Sequence, residues 1–131
     1  MAGPGVEFLG WQSNETIRAL LQTCRALLFP THEDFGIVPL EAQACGAPVI
    51  ALARGGATET IIPAGDYQRG TGVLFDDSTA ESLAAAIDWF ESHADQCCPR
   101  LAREQAERFS LPRFEREILE YVQRVASDAA K

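Results

Sequence analysis

The run Ala26-Leu27-Leu28-Phe29-Pro30-Thr31-His32-Glu33-Asp34-Phe35-Gly36-Ile37-Val38-Pro39-Leu40-Glu41-Ala42-Gln43-Ala44-Cys45-Gly46 sets the fold class. Its first four residues are apolar and closed by Pro30-Thr31, as a buried strand is, and Val38 to Cys45 reads as a helix stopped by Gly46. Pro39 suits a helix's first turn, where its absent N–H has no partner to lose. A strand, a loop and a helix in succession put the loop at the carboxyl end of a parallel strand, where open α/β sheets bind ligands. Glu33 in the loop and Glu41 about one turn into the helix therefore both point toward a crevice.

Their positions suggest different tasks. Gly36, Ile37 and Val38 carry backbone N–H groups at the helix start, free to hold phosphate or sugar oxygen. Gly36 lets a ligand approach the backbone closely, and a carboxylate accepts two hydrogen bonds from a vicinal diol such as ribose or a hexose ring. Together they imply recognition of a sugar nucleotide. Two acids eight positions apart more commonly mark a solvated helix start, so the pair alone decides nothing. The weight rests on the constellation with Phe35-Gly36 and, downstream, Gly55-Gly56-Ala57-Thr58-Glu59.

Outward from this unit, helix and strand alternate. Ser13 caps a helix through Glu15 to Leu21, while Pro48 to Leu52 and Gly72 to Phe75 read as buried strands. Between those strands Gly55-Gly56 forms a loop, with glycines that permit close ligand approach, and Ala57 to Ile61 starts a short helix. Ser78 with Glu81 makes a capping box for a helix whose Leu83, Ile87 and Phe90 share a face. Another helix covers about Pro99 to Arg108. Ser110-Leu111-Pro112 opens the last, ending near residue 126, with Phe114, Ile118, Val122 and Val125 as its apolar stripe. The class is α/β, a partial Rossmann-like parallel sheet flanked by helices, in a single domain over residues 1–131.

Composition narrows the partners. The 131 residues are 47% hydrophobic, enough for one core, and no apolar run reaches the roughly 20 residues of a membrane span. A net charge of −8 argues against nucleic acid or an anionic membrane as a partner. Met1-Ala2-Gly3-Pro4-Gly5 reads as a short flexible start, without a signal peptide, and a cytoplasmic location is expected. Cys24, Cys45, Cys97 and Cys98 show no metal-like spacing, and the adjacent Cys97-Cys98 could bridge only with strain. Reduced thiols are the default, with Cys24 and Cys45 as core fillers. His32 is a candidate donor contact, though a loop histidine beside two acids is more often an exposed, charge-balanced group. His93 has no partner signal. Arg54 could answer a phosphate charge or simply be a surface residue, and Glu59 suits a structural task at a helix start better than a place near the donor.

The ordered set of these residues resembles a family, the retaining glycosyltransferases of two-Rossmann-domain (GT-B) architecture, in the group that includes sucrose synthase and many bacterial mannosyl- and glucosyltransferases. The resemblance covers roughly residues 5 to 125. Val6-Glu7-Phe8-Leu9-Gly10 is similar to the family's strand before the motif, and Phe29-Pro30-Thr31 to its Pro-Ser approach. Glu33-Asp34-Phe35-Gly36, then Glu41-Ala42-Gln43-Ala44-Cys45-Gly46-Ala47-Pro48-Val49-Ile50-Ala51, resemble its Glu-Gly-Phe-Gly, Leu-Glu-Ala and Gly-x-Pro-Val-Ile signatures. Gly55 to Glu59 and Gly70-Thr71-Gly72-Val73-Leu74-Phe75 follow in the family's order.

The resemblance implies that Glu41 binds the ribose hydroxyls and that Glu33 contacts the donor hexose at the reacting end without acting as a nucleophile. It implies that backbone around Asp34, Phe35, Gly36, Ile37 and Val38 holds sugar hydroxyls and the diphosphate. Transfer would proceed with retention, by front-face departure and attack, with no cofactor and no obligatory metal. The motif wording looks most like GDP-mannose-dependent mannosyltransferases, and the acceptor is not legible. In the full-length enzyme a cytoplasmic location that is peripheral to a membrane is also compatible with the resemblance.

Several of the family's parts have no counterpart in these residues. Two further strands, whose loops carry an arginine and a lysine that neutralise the departing diphosphate, and the amino-terminal acceptor domain are the missing partners. Without those strands the sheet has an open edge, which invites self-association. The family's final helix crosses back over the first domain, so the stripe of the last helix expects such a surface. Two readings follow: the carboxyl-terminal part of a glycosyltransferase, inactive by itself, or a non-catalytic nucleotide-sugar-binding or interaction module. A sugar-nucleotide epimerase of related architecture fits the donor loop less well.

Overall fold

A computed structural model describes residues 3–131. Its core is three short parallel strands, β1 (Leu27–Phe29), β2 (Val49–Leu52) and β3 (Gly72–Phe75), in the order β1-β2-β3. Leu27 pairs with Val49, and Val49 with Gly72, so the three carboxyl ends lie together. Around the sheet run α1 (Asn14–Thr23), α2 (Ile37–Ala44), α3 (Ala57–Thr60), α4 (Ala80–His93), α5 (Pro99–Glu107) and α6 (Leu111–Ala129), with a 3-10 turn at Ala94–Gln96. The expected α/β class and parallel sheet are what the chain adopts.

Alternation along β2 builds two cores, because successive strand side chains point to opposite faces. Val49 and Ala51 join Leu21, Ala42, Ala47, Ala57 and Ile61 on one face. Ile50 and Leu52 join Val73, Phe75, Ala86 and Phe90 on the other, where Leu83 and Ile87 of α4 also pack. All four β2 residues are buried, which explains why the strand reads as a continuous apolar run. Helix α2 closes with a Schellman pair, in which Gly46 N–H donates to the Gln43 carbonyl and Ala47 N–H to the Ala42 carbonyl. Helix α5 packs along α2. Buried Gln105 of α5 donates through Nε2 to the Thr60 carbonyl, tying α5 to α3.

Several expectations are corrected. Val6 to Leu9 forms no strand: the segment pairs with no strand of the sheet, and Phe8 and Trp11 stand 84% and 90% exposed. The start of α4 is capped by Thr79, whose hydroxyl accepts from Ser82 N–H at 3.1 Å, so Ser78 and Glu81 do not form the box. Helix α6 runs past residue 126 to Ala129. Ser110 takes its N-cap position without a side-chain bond. Cys24 is exposed and Cys45 half-buried, and the buried thiol is Cys97. Of the flexible start, Met1 and Ala2 lie outside the described residues. His93, given no partner by the sequence, stacks on Trp89 with centroids 4.3 Å apart and lies 3.7 Å from the Asp66 carboxylate. Trp89 also donates to Asp66, so the aromatic pair pins the loop before β3 against α4.

The adjacent thiols differ in chemistry. Burial pushes Cys97 up to about 11, helped by the Asp95 charge. Cys98, at the N-cap of α5, is lowered by the Leu101 N–H and further by the Arg100 N–H and by the Arg69 and Arg100 charges. Because the thiolate is the nucleophile, iodoacetamide near neutral pH is expected to alkylate Cys98 well before Cys97, whose labelling waits on unfolding. Peptide mapping over time checks the order, and equal rates in the folded protein would contradict it.

Candidate functional site

Three exposed acids follow the carboxyl end of β1: Glu33 and Asp34 in the loop, and Glu41 on α2. The loop itself is held firmly. The Glu33 carbonyl accepts from Gly56 N–H at 2.9 Å, and the Thr58 hydroxyl donates to the Gly55 carbonyl at 2.8 Å. A Cβ added at Gly55 would overlap the Glu33 carbonyl, and one added at Gly56 would overlap the Phe35 carbonyl. The close approach these glycines allow is therefore to the Glu33–Phe35 backbone, which they press into a defined shape. His32 lies against Gly55 in the same cluster.

Gly36 turns the chain from this loop into α2. It holds φ +79° and ψ 81° at the N-cap, a left-handed conformation that excludes side chains by strain although space exists beside Pro39 and Phe29. No side chain caps the helix, and Pro39 at the third helical position brings no N–H, which leaves those of Ile37 and Val38 facing outward. Phe35, half exposed, meets Phe109 edge-on with centroids 6.0 Å apart, so the loop is also pinned by the second residue beyond α5.

Glu41 looks elsewhere. It lines a cavity of about 350 Å³ between α1 and α2, together with Asn14, Ile17, Arg18, Leu21, Ala44 and Cys45. Glu33 is not part of that lining, so the two acids bracket the helix start rather than share one cavity. Arg54 follows β2 and is exposed, forming no ion pair among the described residues. Glu59 lies exposed on α3. Asn14 and Arg18 were missed by the sequence reading. Their signal was the spacing of Asn14, Ile17, Arg18 and Leu21, one face of α1 leading to its buried leucine. Among the described residues no group of three or more His, Cys, Asp or Glu gathers as it would around a metal ion.

A strand end, an open helix start and flanking carboxylates suit an anion joined to a polyol. The sequence model described as "Glycosyl transferases group 1" matches residues 1–109. The chain belongs to the group 1 glycosyl transferases. A D-inositol 3-phosphate glycosyltransferase from Mycobacterium sp. (strain KMS) is 36% identical over 106 residues, which are 80% of this chain and 23% of that protein. An alpha-1,3/1,6-mannosyltransferase ALG2 from Kluyveromyces lactis is 46% identical over 96 residues, covering 66% of this chain and 18% of the relative.

Solved structures agree on the fold. Sucrose-phosphate synthase from Thermosynechococcus elongatus superposes with a TM-score of 0.72 at 30% identity, over 95% of this chain and 30% of that one. Anabaena HepE in complex with UDP and glucose gives 0.73 at 26% identity, over 89% and 31%. Both are GT-B glycosyltransferases. The group 1 chain described here thus spans about a fifth of the length of these curated relatives and under a third of the superposed structures. No helix among the described residues is long and apolar enough to cross a membrane.

Proposed function

We propose that this chain supplies the nucleotide-sugar side of a retaining hexosyl-transfer site and needs an acceptor-binding domain to turn over. The observation that carries it is the open start of α2 behind Gly36, with the Glu33 carboxylate before it and the Glu41 carboxylate after it. The N–H groups of Ile37 and Val38 would take phosphate oxygens of the donor, aided by the helix dipole. Glu41, at the α1–α2 cavity, would take the two ribose hydroxyls, and Glu33 would take hydroxyls of the hexose. That HepE is solved with UDP and glucose supports a nucleotide-sugar donor here. The mannosyltransferase among the relatives supports mannose as the sugar, and GDP-mannose is the donor proposed from the motif wording.

In such a transfer the bond from the anomeric carbon to the diphosphate oxygen breaks as the acceptor oxygen attacks from the same face. The acceptor's proton passes to the departing phosphate, and no cofactor or metal is required. Charge builds on the leaving diphosphate, so cationic groups aimed at it dominate the barrier, with a single such donor contributing about 3 kcal/mol in comparable sites. Of the arginines here, Arg54 alone follows a strand end of the sheet, and the family's arginine and lysine loops have no counterpart in these residues. We therefore expect the isolated chain to bind donor but to hydrolyse or transfer it no faster than buffer. The non-catalytic binding module remains the alternative and predicts the same binding.

Calorimetric titration of the chain with GDP, GDP-mannose, UDP and UDP-glucose tests the reading. Saturable binding of one nucleotide and its sugar conjugate is the expected result and identifies the base. A folded chain that binds none of the four overturns the proposal.

A further inference from the structure

The cavity between α1 and α2 has two kinds of wall. Ile17 and Leu21 of α1 make one part of it apolar, while Asn14 and Arg18 of α1 and Glu41 of α2 bring polar groups to the same space of about 350 Å³. Asn14 and Arg18 stand four residues apart on α1, so their side chains are neighbours on one face. Neither is spent elsewhere. The capping bond of α1 is made by the Ser13 hydroxyl, which accepts from Thr16 N–H at 3.2 Å. Among the described residues no ion pair engages Arg18, although Glu41 lines the same cavity.

On the reading that the α2 start takes phosphate and Glu41 the ribose, the order of parts in a nucleotide decides what the rest of this cavity holds. Phosphate, ribose and base follow one another, so a molecule held at Ile37, Val38 and Glu41 sends its base past Glu41 toward α1. A base combines flat faces of low polarity with a polar edge, which is what the mixed lining matches. A phosphate there would leave Ile17 and Leu21 without a partner.

The chemistry of the edge then selects among bases. Guanine sets two acceptors, N7 and O6, side by side, the spacing that an arginine fork meets with two parallel N–H bonds. Its N1–H and N2–H donors suit the Asn14 amide oxygen. Adenine turns its N6 amino donor toward the guanidinium, which has no acceptor to receive it. Uracil presents O4 without a neighbouring acceptor and leaves half of the fork unmet. We infer that Arg18 reads the base of the donor nucleotide and, with Asn14 beside it, selects guanine.

Calorimetric titration of the 131-residue chain and three variants with GDP, ADP and UDP tests the assignment. The unaltered chain is expected to bind GDP at least ~10-fold more tightly than ADP or UDP. Arg18→Met keeps an unbranched stem over the cavity and removes the donors. It should weaken GDP by about 10- to 100-fold, leave UDP within about threefold, and not move the thermal midpoint, since Arg18 is exposed. Asn14→Ala should cost GDP about 3- to 10-fold. Arg18→Lys keeps the charge without the fork and should recover little of the GDP affinity. Full recovery by lysine would mean that Arg18 acts as a charge toward the diphosphate, and overturns the inference. So does a chain that binds GDP through Glu41 yet loses nothing on Arg18→Met, or one that prefers UDP, and both of these leave the donor site itself standing. A folded chain that binds none of the nucleotides overturns the donor site and the base reading together.

Discussion

Gly56→Ala is expected to destabilise the fold by about 3 kcal/mol or more, because the added methyl meets backbone rather than a side chain that could swing aside. The methyl would overlap the carbonyl, carbonyl carbon and Cα of Phe35, and Gly56 N–H donates to the Glu33 carbonyl. Either the β1–α2 loop or the start of α3 must shift, and Thr60 and Ile61, buried just beyond, move with α3. Urea unfolding measures the loss as a lower midpoint at unchanged slope. Gly65→Ala is the control, since nothing lies within 4 Å of its added methyl. A Gly56→Ala midpoint equal to that of the control would show that the two loops are not locked together as described.

Glu41→Ala is expected to weaken binding of the free nucleoside diphosphate by about 30- to 100-fold, the loss of two or more kcal/mol carried by hydrogen bonds to a charged acceptor. Glu41 is exposed at the α1–α2 cavity and its removal leaves no buried partner stranded, so stability should barely change. Glu33→Ala is expected to leave GDP or UDP affinity within about threefold while removing the advantage of the nucleotide sugar over the nucleotide. Calorimetry of both variants against both ligand types separates these effects. Equal losses on the plain nucleotide would sink the division of labour between the two acids.

Much of the chain was legible from local pattern. The strand–loop–helix reading of Ala26 to Gly46 holds within about a residue at each end, because the apolar run, Pro30, Pro39 and Gly46 each act on their own neighbours. Leu83, Ile87 and Phe90 do share the core face of α4, since helical period alone sets that. Val6 to Leu9 failed for the opposite reason: a parallel strand exists only through its partner's hydrogen bonds, and no composition supplies them. Ser78 failed because capping depends on which residue turns out of the helix, and Thr79 is the one with extended backbone.

The site divides along the same line. From the amino-acid sequence alone came the α/β class, the order of elements, the glycine at the turn into α2 and the acids on either side of it. All of these are encoded in the period, the caps and the φ preferences of residues a few positions apart. Only the tertiary structure decided that Gly55 and Gly56 serve the Glu33–Phe35 backbone and that Phe109 braces Phe35. It alone set Asn14 and Arg18 beside Glu41. Those relations join residues that local preferences never compare, and they arise only when burying two apolar faces of one sheet brings distant loops into van der Waals contact.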